Sequence, residues 1–333
     1  MKTISRVLCA VDIDEPGRAA FAQALALARA HAAKIIIVYA VPVEQTFNTG
    51  ATQRLAYLRE LRAAAEAVEV DVQVEVQHGE AGEIILLQAR VRQPDLIVLS
   101  AAHGIGANTR QTSSVVEDVL RGATCPTLVV RGDRASSRAS APRSVLCAVD
   151  FSPSSNAAFE RAWCLAASPD CSLTVLHVMR SPGAAFRSMR TQAVSYRHLA
   201  EAALQKLQAL IPPTDGGVVL ARVTTGKVAP EILRAACASR ADLVVVGAQP
   251  RSRLGRRLFG VTRRLLQEAP CPVLAVPTPA SDPRYTRRMA SNNVSAKTLS
   301  IDLAGAVAPG PSRPQHTDVR FAEREGTRAA TAQ

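Results

Sequence analysis

Two aspartates end the same apolar hexapeptide, Val-Leu-Cys-Ala-Val-Asp, which occurs at residues 7–12 and again at residues 145–150. A carboxylate at the end of an apolar strand can accept hydrogen bonds from a bound ligand. Ser152 adds a hydroxyl group two residues after Asp150. An aspartate at such a place can equally cap the following helix, which is worth about 1 kcal/mol. Both interpretations stay open for Asp12 and Asp150 at this point, with Asp150 and Ser152 the better ligand candidates.

An arginine cluster lies between residues 251 and 264, where no acidic residue occurs. Guanidinium groups bind phosphate through charge-assisted hydrogen bonds, so the cluster could hold a triphosphate or another polyanion. The alternative interpretation is a solvated loop and helix face, for which arginine is equally well suited. The members are Arg251, Arg253, Arg256, Arg257, Arg263 and Arg264.

Sequence motifs of catalysis and of metal binding are missing. The chain has no Gly-x-Ser-x-Gly, no Walker-type lysine loop and no His-Glu-x-x-His. The seven cysteines form no Cys-x-x-Cys pair, and His103 has no second ligand at metal spacing. Cys9 and Cys147 lie within apolar runs and are interpreted as small buried side chains. We expect no catalytic residue and no metal site, although slow ATP hydrolysis stays open.

Length and composition predict a globular protein of more than one domain. A chain of 333 residues fits two domains of about 140 residues plus extra chain. Neither a signal peptide nor an apolar run of about 18 residues is present, so a soluble, cytoplasmic protein without membrane contact is expected. The net charge of +12 is spread along the chain, which makes nucleic-acid binding a weak hypothesis.

The elements that must position these residues repeat once along the chain. Apolar runs rich in Val and Ile alternate with stretches of helical periodicity, the pattern of βαβ units around a parallel sheet. Five strands are predicted per repeat, at residues 7–12, 34–41, 70–77, 96–101 and 127–131, then at 145–150, 172–179, 218–224, 243–248 and 273–276. The repeats span residues 1–132 and 144–279, joined by a linker at 133–143. Residues 280–333 contain few apolar side chains and are expected to be a disordered tail.

The start and end of each repeat resemble those of a universal stress protein domain. The start is the Val-Asp strand end, with Ser152 and Asn156-Ala-Ala-Phe in the second repeat, and the ends are residues 119–130 and 264–276. The resemblance covers residues 4–131 and 143–277. It implies two tandem α/β domains of the Rossmann-like nucleotide-binding type. Each would be a doubly wound, five-stranded parallel sheet in strand order 3-2-1-4-5, and the repeats would form an intramolecular pseudo-dimer, with their fifth strands as the suggested contact.

The resemblance also implies where a nucleotide would bind. Nucleotide-binding members carry Gly-x-x-Gly, nine residues, then Gly and Ser or Thr, after strand 4. The second repeat reads Gly247-x-x-Pro250, nine residues, Gly260-Val261, with Thr262 close by, whereas the first repeat keeps only the final hydroxyl, at Ser114. The strand 1 aspartates would face the base and ribose, and Arg256 would border the phosphates. The expected site residues are therefore Asp150, Ser152, Gly247, Gly260, Thr262 and Arg256, with Asp12 and Ser114 as remnants in the first repeat.

Together these patterns predict a non-enzymatic stress-response binding or regulatory protein. Its second repeat would bind adenine nucleotide weakly, with ATP and magnesium as the cofactor candidate, and its first repeat would hold a degenerate site. A homodimer is a further expected assembly. The alternative hypothesis is a nucleotide-independent scaffold that recruits an acidic partner through the basic cluster or the tail.

Overall fold

The computed structural model describes residues 4–42, 50–101, 109–131, 142–166, 170–180, 190–212, 218–248, 260–278 and 299–301. In the first repeat the strands are β1 (Arg6–Ala10), β2 (Lys34–Val41), β3 (Val72–His78), β4 (Leu96–Ala101) and β5 (Thr127–Arg131). The helices between them are α1 (Glu15–His31), α2 (Ala51–Glu66), α3 (Ala81–Arg92) and α4 (Thr109–Gly122).

The second repeat has the same order of elements. Its strands are β6 (Ser144–Ala148), β7 (Ser172–Arg180), β8 (Val218–Gly226), β9 (Leu243–Ala248) and β10 (Val273–Pro277). Its helices are α5 (Pro153–Leu165), α6 (Arg190–Leu210), α7 (Val228–Ala238) and α8 (Gly260–Glu268). All ten predicted strands are present. The first strand of each repeat ends two residues earlier than predicted, so Asp12 and Asp150 lie in the loops that follow β1 and β6.

One sheet runs through both repeats in the order β11-β8-β7-β6-β9-β10-β5-β4-β1-β2-β3. Within each repeat this order reads 3-2-1-4-5, and the neighbours are parallel, which confirms the predicted fold class. The two fifth strands, β5 and β10, pair antiparallel across the repeat boundary, with Val129 opposite Val273. The pairing of the two repeats through these strands makes a single continuous sheet of the two domains.

Helices cover both faces of the sheet, so successive strand residues are buried on opposite sides. In β1, Val7 and Cys9 belong to one apolar core and Leu8 to the other. A strand that is buried on both faces requires a continuous apolar run rather than an alternating one, which is why the first five residues of the hexapeptide are apolar.

The tail contributes one short strand, β11 (Leu299–Ile301), which pairs in parallel with β8. At these three positions, this corrects the expectation that residues 280–333 are disordered. The physical reason is that β8 ends the five-stranded unit and presents unpaired backbone groups, which an extended segment can satisfy. Residues 279–298 and 302–333, and most of the predicted linker, lie outside the described residues. Among the described helices, none has the length and apolar character needed to cross a membrane.

Candidate functional site

The candidate site lies at the carboxyl ends of β6 and β9, where the direction of the strand connections reverses. β6 pairs with β7 on one side and with β9 on the other, and Ala148 stands opposite Val246. Asp150 follows β6 by two residues, and Gly247 follows Val246 in β9. In open α/β sheets the loops diverge at this point and leave a crevice in which ligands bind. β1 and β4 form the corresponding place in the first repeat.

Short hydrogen bonds organise the loop that carries Asp150. The Asp150 carboxylate accepts a hydrogen bond from the backbone N–H of Ser152 at 3.0 Å, and the Asp150 N–H donates to Ser155 Oγ at 3.2 Å. Partial burial raises the pKa of Asp150, but the hydrogen bonds from Ser152 and Ser155 outweigh it, and the net pKa lies below the ordinary value. Asp150 is an exposed residue, so the site presents an ionised carboxylate to solvent.

The residues that cap α1 and α5 are not the two aspartates that end the hexapeptides but the residues two positions later. Ser152 caps α5 by accepting from Ser155 N at 3.3 Å, and Asp14 caps α1 by accepting from Gly17 N at 2.6 Å. The capping interpretation is therefore wrong for Asp12 and Asp150. Ser152, proposed as a ligand residue, is committed to the helix terminus through its oxygen.

Gly247 is required by packing within the protein. A Cβ atom at this position would lie 2.6 Å from the Ser155 nitrogen and 2.7 Å from the Ser154 carbonyl carbon, closer than real Cβ atoms approach backbone. The N-terminus of α5 therefore rests directly on β9, and only glycine permits it. Gly247 therefore lies against Ser154 and Ser155, close in sequence to Asp150 and Ser152, for a packing reason that the sequence did not reveal.

A strained aromatic residue adjoins the site. Phe151 has φ 62°, in the left-handed region that bulky residues rarely occupy. Its ring lies 4.7 Å from the ring of His177, and Lys206 Nζ lies 5.9 Å from the ring centre. His177 Nδ1 lies 2.8 Å from the Val149 carbonyl oxygen, to which it donates in the Nδ1–H tautomer. These contacts hold the loop in its strained form and therefore fix the direction of Asp150.

A model of the universal stress protein family matches residues 3–131 and again residues 142–277. The chain belongs to the universal stress protein family. A universal stress protein from Archaeoglobus fulgidus is similar in fold over 84% of this chain and 100% of its own, with a TM-score of 0.61 and 16% identity. A Pseudomonas aeruginosa protein of unknown function matches over 83% of this chain and 93% of its own, with a TM-score of 0.59 and 17% identity. A search among curated proteins found no significant match.

In this universal stress protein the crevice of the first repeat is more acidic than that of the second. Asp12, Asp14 and Glu15 stand within four residues, where the second repeat has Asp150, Ser152 and Pro153. Burial raises the pKa of Asp14, and the charges of Asp12 and Glu15 raise it further. Within the described residues, the Asp12 carboxylate accepts a hydrogen bond from the adjacent Ile13 N–H, at 2.8 Å. Like charges so close together oppose the approach of a phosphate.

The remaining predicted residues lie on or before the helices that follow the fourth strands. Gly260 begins α8 and is exposed, with no atom within 4 Å of a Cβ built on it. Thr262, in the first turn of α8, is buried at 7% exposure. Ser114 lies within α4, with its side chain outside the described residues, and Arg256 also falls outside them. Among the described residues, no group of three His, Cys, Asp or Glu side chains could hold a metal ion.

The structure gives the buried cysteines no role in chemistry. Cys9 and Cys147 are fully buried in β1 and β6, and burial raises the pKa of both thiols far above the ordinary range. A protonated, inaccessible thiol is neither a nucleophile nor a metal ligand. The interpretation of these two residues as small core side chains is confirmed.

Proposed function

We propose that this chain is a non-enzymatic stress-response binding or regulatory protein whose second repeat binds an adenine nucleotide between the ends of β6 and β9. The observation that carries the proposal is the ionised, exposed Asp150 carboxylate at the point where the strand connections reverse. Nucleotide would act as a ligand that changes conformation or partner affinity. The first repeat would hold a degenerate site.

The charge of Asp150 determines how the nucleotide would lie. An ionised carboxylate can only accept hydrogen bonds, so it suits ribose hydroxyl groups and the exocyclic amino group of a base. It repels phosphate, and its position beside the N-terminus of α5 disfavours a phosphate there. The phosphates would therefore lie on the side of α8.

The start of α8 has the features of a phosphate-binding terminus. Its first residue, Gly260, is exposed, and the N-terminus of a helix presents unpaired backbone N–H groups that suit an anion. Arg263 and Arg264 lie in the same helix, but they also form ion pairs with Glu117 at 3.7 Å and Glu268 at 2.8 Å. Because part of their charge is neutralised within the protein, weak affinity is expected, with magnesium supplied by the nucleotide complex.

The two repeats provide a matched test. ATP, ADP and AMP with magnesium would be titrated calorimetrically into the wild type, Asp150→Asn and Asp12→Asn. Asparagine keeps the acceptor oxygen for the loop N–H but removes the charge. A hydrogen bond to a charged group contributes about 1.5–3 kcal/mol, so Asp150→Asn should weaken binding by roughly tenfold to a hundredfold. Asp12→Asn should leave it unchanged; equal effects of both variants would contradict the proposal.

A second candidate function is a scaffold that does not use nucleotide. The observation that favours it is that Gly247, a surviving glycine of the motif, and Thr262, the hydroxyl residue beside the motif, are both accounted for by packing. Absence of heat with millimolar ATP would favour this function. Deletion of residues 281–333 would then decide whether the tail recruits the partner, because unchanged partner capture would exclude the tail.

A further inference from the structure

The two ends of the continuous sheet differ, although they are equivalent in the repeat. β8 lies next to β11, whereas β3 is the last strand of the sheet and pairs only with β2 among the described residues. Gly79, directly after β3, and Gly226, the last residue of β8, have positive φ angles of 140° and 156°. They occupy equivalent positions in the two repeats, so residue 76 of β3 corresponds to residue 223 of β8. At equivalent positions, Val223 is fully buried while Val76 is 49% exposed.

The free backbone groups of β3 can be assigned residue by residue. Gly79 N donates to Val41 O, and Asp71 O accepts from Ile35 N, both at 2.9 Å, so residues 71 and 79 face β2. In a β-strand the N–H and C=O of successive residues alternate in direction. Val72, Val74, Val76 and His78 therefore direct their backbone groups away from β2, at the outer side of the sheet.

We propose that β3 pairs antiparallel with β3 of a second copy, across a two-fold axis at Val74. In this register Val74 faces Val74 of the other copy, and Val72 faces Val76. The three valines of each strand whose backbone groups point away from β2 thus lie opposite valines of the other copy, on one face of the joined sheet. Valine is favoured in such cross-strand pairs.

Charge distinguishes this register from its neighbour. With the axis at Val74, Glu75 stands opposite Gln73 of the other copy, whose amide can donate to the carboxylate. A shift of the axis to Glu75 would place two glutamates opposite each other, which is destabilising. Arg92 already contacts both Glu75 and Gln73 from α3, so it can neutralise the paired carboxylates on that face.

The strand β11 limits the association to two copies of the chain. Two free edges would allow sheets to join head to tail into an open filament, whereas one free edge permits only a closed, two-fold pair. β11 pairs with residues 221–223 of β8 and obstructs that edge, so within the described part of the chain the β3 edge is left for association. The occupant that fits is a second copy of this chain, and the product is a dimer with one sheet across four repeats.

The first test uses Val76→Pro in the full chain. Residue 76 directs its N–H outward, so proline removes a donor that β2 does not use, as edge strands tolerate. Val76→Thr is the matched control, since it keeps the N–H and the β-branched shape. Sedimentation equilibrium should give a concentration-dependent dimer for the wild type and Val76→Thr. Val76→Pro should dissociate about tenfold more readily or worse, with an unchanged circular dichroism spectrum at 25 °C.

The second test reads the register and does not depend on proline. In a Cys237→Ser background, which removes an exposed thiol, Val74→Cys should form an interchain disulfide, because paired residues lie about 5.5 Å apart between Cα atoms. Val76→Cys should not, because its own copies would be separated by four residues, roughly 14 Å. A wild type that stays monomeric at all concentrations would overturn the proposal. So would cross-linking at 76 but not 74, or loss of the dimer on deletion of residues 281–333, which would show that the tail rather than β3 makes the contact between copies.

Discussion

Replacement of Gly247 by alanine should destabilise the second repeat even when no ligand is present. The added Cβ would stand 2.6 Å from the Ser155 nitrogen and 2.7 Å from the Ser154 carbonyl carbon, backbone atoms that a change of rotamer cannot move. β9 and the N-terminus of α5 would have to separate by at least roughly 0.4 Å to reach 3.0 Å, the closest distance that real Cβ atoms show. Overpacking of this kind costs about 1–3 kcal/mol.

Urea unfolding, followed by circular dichroism and by the fluorescence of Trp163, would measure this cost. Trp163 is the only tryptophan of the chain and packs against the core of the second repeat, 5.8 Å from the Phe159 ring. Gly260→Ala is the matched control: a Cβ there meets no atom within 4 Å, and alanine favours the helix by about 0.5–1 kcal/mol. Equal unfolding midpoints for Gly247→Ala and the wild type would refute the packing explanation and return Gly247 to a role in ligand binding.

Five further substitutions, at four positions, test the local structure by urea unfolding. Asp14→Asn should match or exceed the wild type in stability at pH 7, because the raised pKa of Asp14 makes its charged form unfavourable in the fold. The difference should vanish as the pH falls below 3.8, where both states are protonated. Asp14→Ala should be about 1 kcal/mol less stable than Asp14→Asn, since it also loses the cap. Gly226→Ala should cost more than Gly79→Ala, because its Cβ would lie 2.6 Å from the side chain of buried Glu231, while that of Gly79 would lie 3.5 Å from the Ile84 side chain; equal losses would contradict this. Arg131→Ala should cost roughly 1–3 kcal/mol, because it leaves a backbone carbonyl near the end of α8 without its donor; an unchanged midpoint would show that this contact between repeats is unimportant.

The sequence predicted the strands well because their determinants are local. A strand buried on both faces must be apolar throughout, and the chain contains ten such runs, separated by helical patterns. The duplication then supplied an internal check, since each element had to occur twice in the same order. The ends of β1 and β6 were placed two residues late because Val11 and Val149 are buried without belonging to a strand.

The site was predicted only in part because its geometry depends on contacts between distant segments. Gly247 was identified through the glycine motif, yet the atoms that require it belong to α5, almost a hundred residues earlier. The strain at Phe151 depends on His177 and Lys206, which no local pattern connects with it. The strand β11 was missed for the same reason, because its pairing depends on the free edge of β8 rather than on its own composition.

Stoichiometry is the most direct test of the central claim, that the second repeat alone has kept a nucleotide site. Calorimetric titration of ATP with magnesium into the full chain should give one site per chain, and the heat should disappear in Asp150→Ala. Two equivalent sites per chain, or binding that survives Asp150→Ala and disappears in Asp12→Ala, would contradict it.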